Sequence, residues 1–318
     1  MTPIRFALLA SLALVTIAAV AQEDRVLVTQ TLVHADSKAD ILPDAAAIKL
    51  QVNSKGTPLT SLTPIKPSGI QIALLIDDGL SRSAGIQLND LKAFAMSLPP
   101  GVELLVGYMS NGRVLVASQF SAEHEAAAAA VRLPMGMQGQ SASPYFCLSD
   151  FVKHWGEEAQ GHPAKARVVM MLTNGVDPYN GSTRLSNETS PYVDTAIADS
   201  QRAGVAVYSI YYRDAGMRGD AGSLSGQGYL AKVAEETGGD TYFEGSGNPV
   251  SLSPFLKQFV HALTETYIAT FNVDPTAAGR DHLLRLKVST STPKLKLRTA
   301  AEVRPGNMEL AGPTAGRD

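Results

Sequence analysis

Gln71-Ile-Ala-Leu-Leu-Ile-Asp-Asp-Gly-Leu-Ser-Arg-Ser83 is the stretch on which the reading of this chain turns. Ile72 to Ile76 is apolar without a break, and the apolarity stops at Asp77. A run of this length between polar flanks fits a strand buried on both faces, as in a parallel sheet covered by helices. Open α/β sheets bind ligands just beyond the carboxyl ends of such strands. Here that position holds Asp77, Asp78, Gly79, Ser81 and Ser83. Asp77, Ser81 and Ser83 are oxygen donors, and hard cations take oxygen ligands. Two local readings stand side by side. One is a cation site. The other is a carboxylate and a hydroxyl that cap the next helix.

Working outward, strands alternate with helices over residues 69–264. Leu88, Leu91 and Ala95 predict a helix over 86–96, ended by Pro99-Pro100-Gly101. Strands over 102–109 and 113–118 flank Asn111-Gly112, a tight-hairpin signal because both central turn positions need positive φ. Helices follow over 121–132 and 145–158, with 135–144 as a loop. Residues 167–173 form a second buried strand that breaks at Asn174-Gly175. After a polar loop over 177–190 come a helix (191–203), a strand (205–211), a glycine-rich loop (213–228) and a helix (229–237). A short strand at 241–243 and a helix over 252–264 close the region. This order predicts an α/β fold with a doubly wound, mostly parallel Rossmann-like sheet and one antiparallel edge strand.

The ends read as β. Residues 26–33 and 46–52 predict strands, with Lys55-Gly56 as a turn and Pro64, Pro67 and Gly69 as a linker. Residues 267–273, 282–289 and 295–300 alternate. Leu284, Leu286 and Val288 share one face, and Lys294, Lys296 and Arg298 share a solvated one. The 22–68 segment is too short for its own core. It is expected to pack with the strands of 265–304 into a small sheet or sandwich, ahead of a disordered tail over 305–318. Residues 1–21 carry Arg5, an apolar run and Ala19-Val20-Ala21, the layout of a secretory signal peptide. The run is short for a bilayer span. The expectation is an exported protein, periplasmic or extracellular, with no membrane insertion after cleavage.

Composition narrows the chemistry. A net charge of −3 leaves no basic footprint for nucleic acid. One cysteine, Cys147, rules out an intramolecular disulfide and argues against a zinc cluster. Cys147 lies among Tyr145, Phe146 and Leu148 and reads as a small buried residue. The six histidines are scattered and read mostly as surface residues. Gly222-Ser-Leu-Ser-Gly226 lacks the spacing of a hydrolase nucleophile elbow, and no strand directly precedes it. No glycine-rich loop with a placed lysine offers a phosphate site.

The order of elements resembles a von Willebrand factor type A domain, and in particular exported bacterial proteins of that family, those of Acidobacteria included. The resemblance spans roughly residues 45–300. It is carried by Asp77-Asp78-Gly79-Leu80-Ser81, Thr173-Asn174-Gly175, Leu230-Ala-Lys-Val-Ala-Glu-Glu-Thr-Gly-Gly239 and Tyr267-Ile-Ala-Thr-Phe271. It implies a metal-ion-dependent adhesion site taking magnesium, or else manganese or calcium. Asp77 and Ser81 would be ligands, with Ser143 or Ser141 and then Asn174. It also implies a non-enzymatic module for protein binding, adhesion or scaffolding with a protein partner. Such a module would present Asp78, Arg82, Tyr145, Asp177, Tyr179, Arg184, Tyr192 and Arg213 from loops.

Two departures weaken the implied site. Gly79 stands where the family has its first serine, and Asn174 where it has an aspartate. A unit charge 4 Å from a cation is worth about 4 kcal/mol per unit of cation charge at an effective dielectric of about 20. After desolvation, a loss of about 2–3 kcal/mol weakens binding roughly 30- to 150-fold. Asp78 and Asp177 are near enough in sequence to compensate. Against the cation-dependent reading stands a metal-free envelope component with a vestigial site.

Overall fold

The computed structural model describes residues 26–37, 41–137, 143–161, 165–177, 191–213, 219–245, 247–278, 282–308 and 310. The proposed signal segment, Ser141, Tyr179, Arg184 and the far end of the tail lie outside them.

The strands in chain order are β1 (Leu27–Ser37), β2 (Ile48–Val52), β3 (Lys55–Thr57), β4 (Leu59–Pro64) and β5 (Ile70–Asp77). Next come β6 (Glu103–Ser110), β7 (Arg113–Ser121), β8 (Ala166–Thr173), β9 (Val205–Tyr211) and β10 (Thr241–Tyr242). Last are β11 (Thr266–Val273), β12 (Leu284–Thr290), β13 (Leu295–Thr299) and β14 (Glu302–Val303). The helices are α1 (Leu88–Ser97), α2 (His124–Ala130), α3 (Pro144–Lys153), α4 (Trp155–Glu158), α5 (Pro191–Ala203), α6 (Gly219–Thr237) and α7 (Ser253–Thr264).

The fold is α/β, with a mixed, mostly parallel sheet of order β10-β9-β8-β5-β6-β7. β5 pairs in parallel with β6 and β8, and β7 alone runs antiparallel. All eight residues of β5 are buried because helices cover both faces. Ile72, Leu74 and Ile76 pack with Leu91 and Phe94 of α1 and Leu256 and Phe259 of α7. Ala73 and Leu75 face Leu148 and Phe151 of α3, Ile197 of α5 and Val233 of α6. Each large apolar side chain so enclosed contributes about 1.5–3 kcal/mol. The β6–β7 turn has positive φ at Asn111 and Gly112, as the hairpin signal requires.

The termini interleave. One four-stranded sheet has the order β13-β1-β11-β4 and another β14-β12-β2-β3. Leu50, Val52, Phe271, Leu284 and Leu286 pack together across them. Neither sheet is built from one end of the chain. Leu27 of β1 pairs with Val273 of β11, and Leu50 of β2 with Val288 of β12.

The structure corrects several expectations. Residues 219–228 belong to α6 and are not loop. At Gly226 the lack of a side chain serves close packing: a Cβ there would sit 2.2 Å from the Asn174 carbonyl oxygen. Lys55-Gly56 lies in β3, and the turn is Asn53-Ser54, both with positive φ. Pro64 belongs to β4 rather than to a linker, and β4 pairs with β11 at a sheet edge, where proline is tolerated. The helix expected over 145–158 breaks at His154, between α3 and α4. Arg298 is only partly exposed, unlike Lys294 and Lys296. It reaches the Asp240 carboxylate at 2.5 Å and the Gly239 carbonyl at 3.1 Å.

Candidate recognition site at the carboxyl end of the sheet

Asp77 ends β5 and Thr173 ends the neighbouring β8, so their side chains meet where the parallel strands stop. Asp77 is fully buried. Its Oδ1 accepts the Gly79 N–H at 2.9 Å and its Oδ2 the Thr173 hydroxyl at 2.7 Å. The Thr173 oxygen in turn accepts the Gly175 N–H at 3.1 Å. These bonds hold both post-strand loops, as a buried carboxylate demands.

Asp78 points elsewhere. Its Oδ1 accepts from Arg132 Nη1 at 2.7 Å and from the Met135 N–H at 2.9 Å. The Arg132 guanidinium lies 3.7 Å over the Tyr108 ring. The Gly136 N–H completes the clasp on the Asp78 carbonyl at 2.8 Å. Asp78 thus fixes the 131–137 segment, and its charge is already matched by Arg132.

The other members of the proposed ligand set are placed as follows. Ser81 makes no side-chain cap bond. Its hydroxyl lies 2.6 Å from that of Ser83. The capping reading therefore fails for Ser81, while Asp77 does bind a local N–H. Asn174 turns its Oδ1 to the Val176 N–H at 2.9 Å. Ser143 is buried, has left-handed backbone (φ 58°), and accepts the Cys147 N–H on its carbonyl at 3.0 Å. Tyr145 donates to the Gly175 carbonyl at 2.8 Å and is buried, so it is no surface contact. Burial first, and Asp177 next, hold its hydroxyl well above the usual phenol range. Asp177 is buried as well.

Cys147 sits behind the site. Burial, then the charge of Asp77, push its thiol up to about 12. Its Sγ donates to the Arg113 carbonyl at 3.2 Å. A protonated, enclosed thiol is no nucleophile. Ser223 and Ser225 lie within α6, which removes the strand-to-helix turn that a nucleophile elbow needs. Of the histidines, His34 and His124 are buried rather than at the surface.

Several of the expected donors are engaged within the protein or replaced. Asp77 already accepts two hydrogen bonds, Gly79 brings no hydroxyl, and the Asn174 oxygen is turned into its own loop. Among the described residues no group of three His, Cys, Asp or Glu side chains is placed to hold a metal. The rim is chemically different. Ile86, Met135 and Met137 are 70%, 73% and 70% exposed, and Leu133 is 45% exposed. Leu133 approaches Gly85, and Met135 and Gly136 are tied to Asp78, so this apolar edge borders the site. On α3 and α5, the Phe146 and Tyr192 rings meet at a tilt of 43° with centroids 4.3 Å apart. The sequence did not reveal this rim, because its residues come from separate loops.

No protein-family model matches the chain. No curated protein matches it either. Solved structures give distant likenesses. A von Willebrand factor type A protein from Catenulispora acidiphila is 13% identical, with 92% of this chain and 76% of that one covered and a TM-score of 0.44. The conserved hypothetical protein BatB from Bacteroides thetaiotaomicron is 11% identical, covering 62% of this chain and 98% of its own, with a TM-score of 0.42. The ArnB paralog VWA2 from Sulfolobus acidocaldarius is 12% identical, covering 88% and 76%, with a TM-score of 0.39.

Proposed function

We propose that the chain is an exported, non-enzymatic protein-binding module of von Willebrand factor type A kind, and that it binds its partner without a divalent cation. The observation that carries this is the Asp77–Thr173 bond. It joins the strand ends at the position where the resembled family assembles its ion site, with protein donors on both carboxylate oxygens. A preformed face then remains for recognition: exposed Arg82, the Ile86, Leu133, Met135 and Met137 rim, and the Phe146–Tyr192 pair. Aromatic residues, methionine and arginine are the types enriched at protein interfaces. Export is supported by the signal-like layout of residues 1–21. Among the described residues no helix is long and apolar enough to cross a membrane.

A cation-dependent form of the same module would use Asp77 and Ser81, whose hydroxyl stands with Ser83 beside the loop. The two forms part in one experiment. The chain is immobilised and offered an envelope extract with and without EDTA, beside Met135→Asp and Ile86→Asp variants. The metal-free module retains the same partner in EDTA and loses it in both variants. Loss of the partner in EDTA alone, with the rim variants unaffected, contradicts it.

A further inference from the structure

Far from the Asp77 loops, a groove of about 610 Å³ opens between the end of α6, β10 and the strands β12 and β13. This volume lies in the range of binding clefts, about 300–1,000 Å³. Three strand edges border it. β10 ends the six-stranded sheet and has only β9 as a neighbour. β13 ends its own sheet. β12 is paired along its outer edge only at Leu284 and Arg285, by β14, and at Leu286, whose N–H donates to the Ala301 carbonyl at 2.7 Å. Beyond that point no strand among the described residues pairs with this edge, and β12 runs on to Thr290 before residues 291–294 lead into the neighbouring β13. By the two-residue period of a strand, the Val288 N–H and C=O face the same way as those of Leu286, into the groove.

The walls are already fixed. The Ala301 N–H donates to the Glu236 carbonyl at 3.0 Å, and Gln201 donates to the same oxygen at 2.8 Å. Arg298 binds Asp240 and the Gly239 carbonyl, so its charge is spent. What remains on the α6 wall is Glu235 and Glu236, adjacent carboxylates; Lys287 of β12 also lines the groove, and the Lys232 charge acts on Glu236. Burial, and then Glu235, hold the Glu236 carboxyl above its usual range. Phe243 is 48% exposed at the groove's side.

We propose that this groove receives an extended segment of a partner protein bearing lysine or arginine, added as a strand along the outer edge of β12. Main-chain bonds to Val288 supply the pairing, as in other strand-addition complexes. The basic side chain meets Glu235 and Glu236, and Phe243 covers its stem. A second copy of this chain and a purely charge-driven contact are the competing occupants. This site is separate from the Asp77 face, and it stands or falls independently of the function proposed there.

The test uses the full chain and a short blocked peptide alternating valine and lysine. Two twins accompany it. One carries glutamate in place of lysine, and the other is N-methylated at alternate backbone nitrogens. Binding is read by calorimetry and by amide shifts at Val288 and Phe243. The proposal expects saturable binding of the lysine peptide, weakened at least about tenfold in each twin and in Glu235→Gln/Glu236→Gln, with melting of that variant unchanged. Equal binding of the three peptides overturns it, as does no binding up to about 1 mM. Shifts confined to residues outside the groove also overturn it. Peptide-independent dimerisation abolished by the double variant would assign the groove to a second copy and overturn it too.

Discussion

The hydroxyl of Thr173 donates to Asp77 Oδ2 at 2.7 Å, joining the carboxyl ends of two neighbouring parallel strands inside the protein. The same oxygen accepts the Gly175 N–H, so one side chain orders two loops. Thr173→Val keeps the shape and removes both roles. It leaves a buried carboxylate short of a donor, a loss of about 1–3 kcal/mol. Thr173→Ser keeps the hydroxyl and is expected to lose less. Urea unfolding of the three proteins checks the order.

Helix α6 reaches the same loop through glycine. A Cβ on Gly226 would meet the Asn174 carbonyl oxygen at 2.2 Å, whereas one on Gly228 would meet nothing within 4 Å. Gly226→Ala is therefore expected to destabilise by about 1–3 kcal/mol through overpacking. Gly228→Ala is expected to stabilise by about 1 kcal/mol, the helix-propensity gain. Thermal melts of the pair test whether α6 seats on the loop.

His34 lies between the terminal sheet and the α/β layers, near Arg298, Asp240 and Asp36. Burial first, and the Arg298 charge next, lower its pKa from 6.5 to about 4. The unfolded chain therefore binds a proton near pH 6.5 that the folded chain refuses until about pH 4. Stability from the neutral imidazole is complete above 6.5 and falls as pH drops through that window, by up to ~3 kcal/mol. Unfolding free energies of wild type and His34→Gln between pH 4 and 7 are expected to show a flatter dependence in the variant.

The α/β layers were legible because their signals are local. The run at 72–76, the Asn111-Gly112 turn and the strand ending at Thr173 each announce themselves within a few residues. What escaped depends on distant partners. The Asp77–Thr173 bond spans 96 positions. A buried network below the sheet, where Glu103 accepts from Lys165 at 2.6 Å and from Gln71 at 2.8 Å, joins three segments that read as unrelated. The polar sequence over 219–228 suggested a loop because glycine is a poor helix former. Its use for close approach to Asn174 is visible only once both elements are placed. The terminal strands were expected to pack together, but their order within two separate sheets is a matter of topology, which strand periodicity does not encode.

The most direct measurement is calorimetric titration of the full chain with magnesium and then manganese, beside Asp77→Ala. The metal-free account predicts no saturable heat up to about 10 mM, well above the 10⁻⁴–10⁻³ M affinities of weak extracellular cation modules. It also predicts a lower melting temperature for Asp77→Ala, because the Thr173 hydroxyl and the Gly79 N–H lose their acceptor. Saturable binding below about 1 mM that vanishes in a folded Asp77→Ala protein would contradict it and restore the cation to the site.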